Sequence, residues 1–559
     1  GEGHIHAAIA AAAAAAQPKV VDESASDIFT PHHVITEVRK FQNDIFTRFP
    51  LGRWDDFLRA FDDGFPFMGV EHALREKLKR ALLFHDRFVI GVIGSSNSAG
   101  HDNEYTQAWV ARIEEDLAPV FEAAGVELEV RNAAVGNTCT LPALLCLEAH
   151  VGADVDLIMW EYLMNDKPYD DEHLLWYDTL LRQAALLPHQ PVVWFVHIEG
   201  GRRKADAKET FDKWGHKTCC DANGNYGPNT PYPVQAEHYN KDNLFTALAE
   251  HYALFGTNSF FMLDMLWLRD HMRGLRYEDL FITYHAGPDG HQRIADIVEF
   301  HLTQILATAA EDVGHTYRTI VHELYGYDGD AFDMDTGRPL LIDELHDRHH
   351  PDDVAKQHEV ERLAHVQARH MYRHLPRVQL PHHGACEPPF CEARPTCATT
   401  FEPRFGGAHT DLAAYVHNGT ASANWQYVLP EGERPMPERG YRDRKMAYYG
   451  DSGSGELVLR FSVAPWQRGL VVLCEVPTGF HRHDKYVRLD DHKQLAYKVD
   501  GSTQKLPLHA DHTHALARGA YFSQLCVQVT DKLAAGEHTV SVEVVGDDAH
   551  VYVSQLVVA

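Results

Sequence analysis

The run Phe88-Val89-Ile90-Gly91-Val92-Ile93-Gly94 is unbroken in its apolar, largely β-branched character and stops abruptly in Ser95-Ser96-Asn97-Ser98-Ala99-Gly100. A strand that is apolar on both faces has to be covered on both. A parallel sheet under helices does this, whereas a half-solvated antiparallel sheet does not. The small polar residues suit a tight turn with an exposed hydroxyl at the strand's carboxyl end, the edge at which open α/β sheets bind their ligands.

The flanking sequence agrees with such a sheet. Residues 27–80 read as helical, with Thr30-Pro31 supplying an N-cap and a proline at the first helical position. After the opening strand, strand-like segments at 126–130, 156–162, 191–198 and 259–266 alternate with helical ones at 104–124, 141–150, 171–187, 240–254 and 292–307. This alternation predicts an α/β fold with a parallel sheet covered on both faces. A polar, Gly- and Pro-rich insertion at 199–233 carries the adjacent Cys219 and Cys220. Residues 310–381 are charged and His-rich, with a helix expected at 352–375. From Thr396 the period changes to two, as in Glu456-Leu457-Val458-Leu459-Arg460-Phe461 and Glu537-His538-Thr539-Val540-Ser541-Val542, and Gly and Asp turns separate the segments. Short alternating strands of this kind predict a β-sandwich. The expected organisation is an Ala-rich tail (1–26), an α/β domain (27–309), a helical connecting region (310–395) and an all-β sandwich (396–559).

A chain of 559 residues exceeds one ordinary core. Its formal charge of −29, from 80 acidic and 51 basic residues, argues against nucleic acid and anionic membrane surfaces as partners. No apolar run approaches the ~20 residues that span a bilayer. The Ala-rich start, with His4 and His6, reads as a disordered tail or as the remainder left once a signal or anchor has been removed. Of the nine cysteines, Cys386, Cys391 and Cys397 fall close together beside prolines and suggest a disulfide-stapled loop. With the glycosylation sequon Asn418-Gly419-Thr420 they favour a secreted, disulfide-containing glycoprotein. The 39 histidines include His349-His350, His382-His383, His481 with His483, and His512 with His514. None has the ligand spacing of a zinc site with a second ligand pair, so no metal is expected.

Four strand ends carry groups suited to acyl transfer: Ser96, Gly136, Asn165 and His285. A serine hydroxyl needs a base such as histidine to become a nucleophile, and the resulting oxyanion needs preorganised donors such as backbone N–H groups and a side-chain amide. In this order, on alternating β and α segments, the residues resemble the SGNH (GDSL-type) hydrolase superfamily. Gly94-Ser95-Ser96-Asn97 is similar to its first block, Asn132 to Gly136 to its second, Asn165-Asp166 to its third, and His285 with Gly290-His291-Gln292-Arg293-Ile294-Ala295-Asp296 to its last. The resemblance covers residues 85–308. It implies a three-layer, flavodoxin-like fold, Ser96 as nucleophile, His285 as base, and an oxyanion hole of Ser96, Gly136 and Asn165, with no cofactor. Asp166 is expected to order its loop, and His291 to pack at the start of the last helix. The segments Cys397-Ala398-Thr399-Thr400-Phe401-Glu402-Pro403 and Leu473-Cys474-Glu475 resemble C-terminal domains appended to such modules in secreted algal and related eukaryotic proteins.

The sequence departs from the family at four positions. Ser95 stands for the first-block aspartate, Leu163 for the glycine of the asparagine block, Ala286 for the proline after the histidine, and Ile282 for the aspartate three residues before it. A carboxylate from elsewhere would have to serve His285, with Asp289 and Asp279 nearest in sequence, or the site would work as a Ser–His dyad. Two readings stay open. One is an esterase removing O-acyl groups, O-acetyl on carbohydrate above all. The other is a catalytically silent fold serving as a structural or glycan-binding component of an extracellular or organellar assembly, with protein partners.

Overall fold

The structure, a computed structural model, describes residues 31–49, 67–69, 71–84, 86–162, 165–166, 171–199, 258–264, 280–282, 285–325, 395–417, 419, 422–430, 439–476, 489, 493–504 and 526–559. In the first domain the elements run α1 (Pro31–Arg48), β1 (Phe67–Gly69), α2 (His72–Phe84), β2 (Arg87–Gly94), α3 (Ser96–Ala99), α4 (Trp109–Ala123), β3 (Glu127–Asn132), α5 (Thr140–Leu145), α6 (Leu147–Val151), β4 (Leu157–Glu161), α7 (Asp171–Leu186), β5 (Val192–Glu199), β6 (Asn258–Asp264), β7 (Phe281–Ile282), β8 (His285–Ala286) and α8 (Pro288–Tyr325). The sheet has the order β1-β6-β5-β4-β2-β3. Its pairs from β3 to β6 are parallel, and β1 is added antiparallel at one edge.

The doubly covered sheet expected from the sequence is therefore present, in flavodoxin-like order. Strand β2 is buried over Phe88–Gly94. Its alternate residues divide between two cores. Phe88, Ile90 and Val92 face α1, α2, α4 and α8; Val89 and Ile93 face α5, α6 and α7. Because β2 pairs with β3 on one side and β4 on the other, the strand order reverses at it. Its carboxyl end is thus the topological switch point, the edge at which sheets of this kind bind their ligands. Helix α8 runs on past residue 309, the expected end of the domain, because Ala309, Ala310 and Val313 continue its buried stripe.

The second domain is a two-sheet antiparallel sandwich, as expected. It is built from β9 (Thr396–Thr399), β10 (Phe401–Glu402), β11 (Gln426–Val428), β12 (Arg444–Lys445), β13 (Ala447–Asp451), β14 (Glu456–Val463), β15 (Val471–Glu475), β16 (Leu495–Val499), β17 (Ser502–Gln504), β18 (Cys526–Thr530), β19 (Gly536–Val544) and β20 (His550–Val558). One sheet runs β11-β13-β20-β15-β18, with β9 also on β20; the other runs β14-β19-β16-β17. Strands β15 and β20 are buried on both faces. Val471, Leu473, Val551 and Val553 fill the sandwich core, while Val472, Cys474, Val557 and Ala559 join Leu141, Leu144 and Trp160 of the first domain in one apolar cluster. The two domains thus share a continuous core.

Cysteine pairing corrects one expectation. Cys397 bonds Cys146 at the start of α6, tying the domains together, instead of closing a local loop; Cys474 bonds Cys526 within the sandwich. Cys386, Cys391, Cys219, Cys220, Asn418, the paired histidines named above and the helix expected at 352–375 lie outside the described residues. Among the described residues no group of His, Cys, Asp and Glu is arranged to hold a metal ion, and no helix is long and apolar enough to cross a membrane.

Candidate active site

Ser95 is the N-cap of the short helix α3, accepting from the Asn97 N–H, and Ser96 opens that helix at the end of β2. A carboxylate from β4 supports this turn. Glu161 Oε2 accepts from Ser95 N–H (3.2 Å), Ser95 Oγ (2.9 Å) and Ser98 Oγ (2.9 Å), all of it buried. The acid absent from position 95 is thus supplied beneath the turn by the neighbouring strand. Burial pushes the Glu161 carboxyl up to about 7, against the lowering pull of the two serines.

The sign of the resulting pH effect is set by linkage. A group whose folded pKa is raised contributes stability that is present below its unfolded value and is lost as pH rises through its folded value. Glu161→Gln does not titrate. Wild type should therefore lose on the order of 3 kcal/mol relative to that variant between about pH 5 and about pH 8, as read from denaturant midpoints.

The Ser96 hydroxyl lies 2.7 Å from His285 Nε2, and His285 Nδ1 lies 2.7 Å from Asp102 Oδ2. The hydrogen bond from His285 holds the Asp102 carboxyl below its ordinary range despite partial burial, so it is ionised at neutral pH. An ionised acceptor at Nδ1 places the proton there and leaves Nε2 to accept from Ser96. The carboxylate that meets His285 Nδ1 is thus Asp102, where the sequence had offered Asp289 or Asp279 as candidates. Asp289 lies exposed in the first turn of α8, where its charge acts on Arg293. Asp279 is outside the described residues. Ile282 pairs with His285 across the β7–β8 hairpin and is exposed.

The loop bearing Asp102 also fixes His285. Asn97 Oδ1 accepts from Ala286 N–H (3.0 Å), and Asn103 Nδ2 donates to Ala286 C=O (2.8 Å). The first bond needs a backbone N–H at 286, which a proline lacks, so Ala286 has a use that the family's residue could not serve. Asp102 itself takes a left-handed backbone, with φ of 67°, a conformation that aspartate tolerates better than most side chains.

The other expected site residues sit at the same sheet edge. Asn165 Nδ2 donates to Thr138 C=O (2.7 Å). Asp166 accepts from Thr140 N–H (3.1 Å) and Thr140 Oγ1, holding the start of α5 as its expected loop-ordering role requires. His291 Nδ1 accepts from Trp109 N–H (3.3 Å) at the amino end of α4. Burial pulls its pKa down to about 3, so it is a neutral packing residue. Gly136 is closely overlain by the His101 ring; a Cβ there would lie 2.1 Å from His101 Cε1. Its N–H donates to Asp443 Oδ2 at 2.9 Å, a carboxylate from the second domain.

Asp443 belongs to a strap preceding β12 that crosses the 100–105 loop. Tyr441 stacks on His101 at 5.0 Å and accepts from Asn103 N–H (3.1 Å), Arg442 lies over Tyr105 at 4.8 Å, and Asp443 Oδ2 meets His101 Nε2 at 2.9 Å. Burial alone would lower the His101 pKa, but the bond and charge of Asp443 outweigh it and hold it above the ordinary value. Asp443 is held low by the same pairing against its own burial. The sequence offers one local signal for this loop: a His-Asp-Asn tripeptide directly after the turn that carries Ser96. The strap has none.

No family model and no curated protein matches the sequence. Among solved structures the fold is similar to that of a two-domain esterase (CEX) active on acetylated mannans, at 12% identity and a TM-score of 0.41, covering 89% of this chain and 98% of that one. The same esterase co-crystallised with mannopentaose matches at 11% identity, a TM-score of 0.40, and 89% and 99% coverage. TesA matches at 15% identity and a TM-score of 0.25, covering 38% of this chain and 95% of that one.

Proposed function

We propose that this protein is a serine esterase of SGNH type. The observation that carries the reading is the continuous Ser96–His285–Asp102 hydrogen-bond chain, with 2.7 Å at each link. Ser96 Oγ attacks the ester carbonyl while His285 Nε2 takes its proton. Asp102 keeps Nδ1–H oriented and stabilises the imidazolium. The tetrahedral oxyanion is met by the Ser96 N–H, in the helix turn whose amides lack intrahelical acceptors, by the Asn165 amide, and by the Gly136 N–H when that group is released. The leaving alkoxide takes the proton from His285, and water then hydrolyses the acyl-enzyme with His285 again as base. Atoms balance as ester plus water to acid plus alcohol, with no cofactor required.

The silent-fold reading draws on Ile282, on Leu163 in place of the block glycine and on the long extra regions; the Asp102 contact on His285 weighs against the first of these. For the substrate we propose an O-acyl group, O-acetyl on carbohydrate, on the resemblance of the module and its appended sandwich; fold analogy carries this part. The two disulfides among the described residues suit an oxidising compartment, and we place the protein in the secretory pathway or outside the cell. The test is incubation with p-nitrophenyl acetate and a fluorophosphonate probe. Wild type should hydrolyse the ester and be labelled, and Ser96→Ala should do neither. Labelling that survives the substitution, or none in wild type, refutes the reading.

A further inference from the structure

We propose that Asp443 is a built-in restraint on the oxyanion site: its carboxylate occupies the Gly136 N–H, so that the second domain withholds one of the donors on which the esterase reading relies. This inference rests on that reading. The geometry has three parts. Asp443 Oδ2 is 2.9 Å from Gly136 N and 2.9 Å from His101 Nε2, so one oxygen bridges the two groups. The Asp443 side chain is only 9% exposed, and the strap that delivers it is anchored independently through Tyr441 and Arg442. The ring that meets Asp443 also lies on Gly136 and within 6.1 Å of the His285 ring, which places the contact beside the reacting serine.

A carboxylate oxygen at this distance is itself an anion in a donor's acceptor position. A substrate oxygen gaining negative charge would share that donor with a fixed negative charge in a buried setting, where repulsion is poorly screened. Two outcomes are open to the substrate: to react with Ser96 N–H and Asn165 alone, or to displace the Asp443 side chain. Either slows acylation. The strap backbone need not move, because Tyr441 and Arg442 hold it whether or not the carboxylate is present.

The experiment compares rates of fluorophosphonate labelling at Ser96, whose tetrahedral adduct uses the oxyanion donors, in wild type, Asp443→Ala and Asp443→Asn. Thermal unfolding is recorded in parallel to confirm that each variant is folded. Asp443→Ala should label about 10²-fold or more faster than wild type, in line with the value of one such donor. Asp443→Asn, which keeps an acceptor but loses the charge, should fall between them. If Asp443→Ala does not fold, Asp443→Asn is judged by the same direction. Folded variants that label at the wild-type rate or more slowly overturn the restraint while leaving Ser96 as nucleophile. Absence of labelling in all three proteins overturns the esterase reading and the restraint together.

Discussion

Asp102→Asn should lower kcat/KM for an acetyl ester by about 10³–10⁴-fold, the usual cost of losing the acid of a serine triad while its geometry stays intact. The reason is the tautomer. Asparagine can present an N–H to His285 Nδ1 and stabilise the ring with its proton on Nε2, the atom that must accept from Ser96. The variant should fold normally, since Asp102 is 43% exposed at its side chain and the Asn103–Ala286 bond that ties its loop to β8 is made without it. Asp289→Asn should stay within about twofold of wild type, because an exposed helix-terminal charge is worth little. The measurement is steady-state hydrolysis of p-nitrophenyl acetate by both variants. If Asp289→Asn shows the large loss and Asp102→Asn does not, the acid assignment is wrong.

That pair of variants also marks where the sequence stops being informative. The apolar run at 88–94 dictates a doubly covered strand because no other arrangement buries both of its faces, and the sandwich is legible from its period of two. The family keeps its acid beside the histidine in the chain, at the position of Ile282. The structure instead reaches His285 from 183 residues away, through a turn whose left-handed backbone at Asp102 has no spacing signature. Glu161 is readable only as a charged residue closing an apolar strand. Its use emerges from β4 lying next to β2, which puts Gly94 opposite Glu161. The Cys146–Cys397 bond and the Asp443 contacts on Gly136 and His101 join residues more than 250 positions apart. They depend on how the two domains share a core, and side-chain pattern within either domain does not encode that. Only the structure shows that β15 and β20 are buried on both faces, so that the sandwich is covered from outside.

Gly290→Ala should destabilise the protein by about 3 kcal/mol or more and displace His285, because the added methyl would meet rigid backbone. An ideal Cβ at 290 lies 2.1 Å from the Leu280 carbonyl oxygen and 3.1 Å from its carbon. That carbonyl already accepts from Gly287 N–H at 2.7 Å, closing the β7–β8 hairpin that carries His285. Relief therefore requires α8 and the hairpin to part. Movement there shifts His285 away from Ser96, so labelling at Ser96 should fall together with stability. Gly287, three residues earlier on the same segment, gives the contrast. A Cβ there meets only Ile282 Cγ1 at 3.4 Å and backbone atoms at 3.6 Å or beyond, all ordinary contacts. Gly287→Ala should thus be neutral, or stabilising by about 0.4–1 kcal/mol through the unfolded chain. Denaturant unfolding of the two variants, with Ser96 labelling on each, separates a clash at the helix–hairpin junction from a general intolerance of this loop. Equal losses at both positions would mean that the junction is not what sets the histidine.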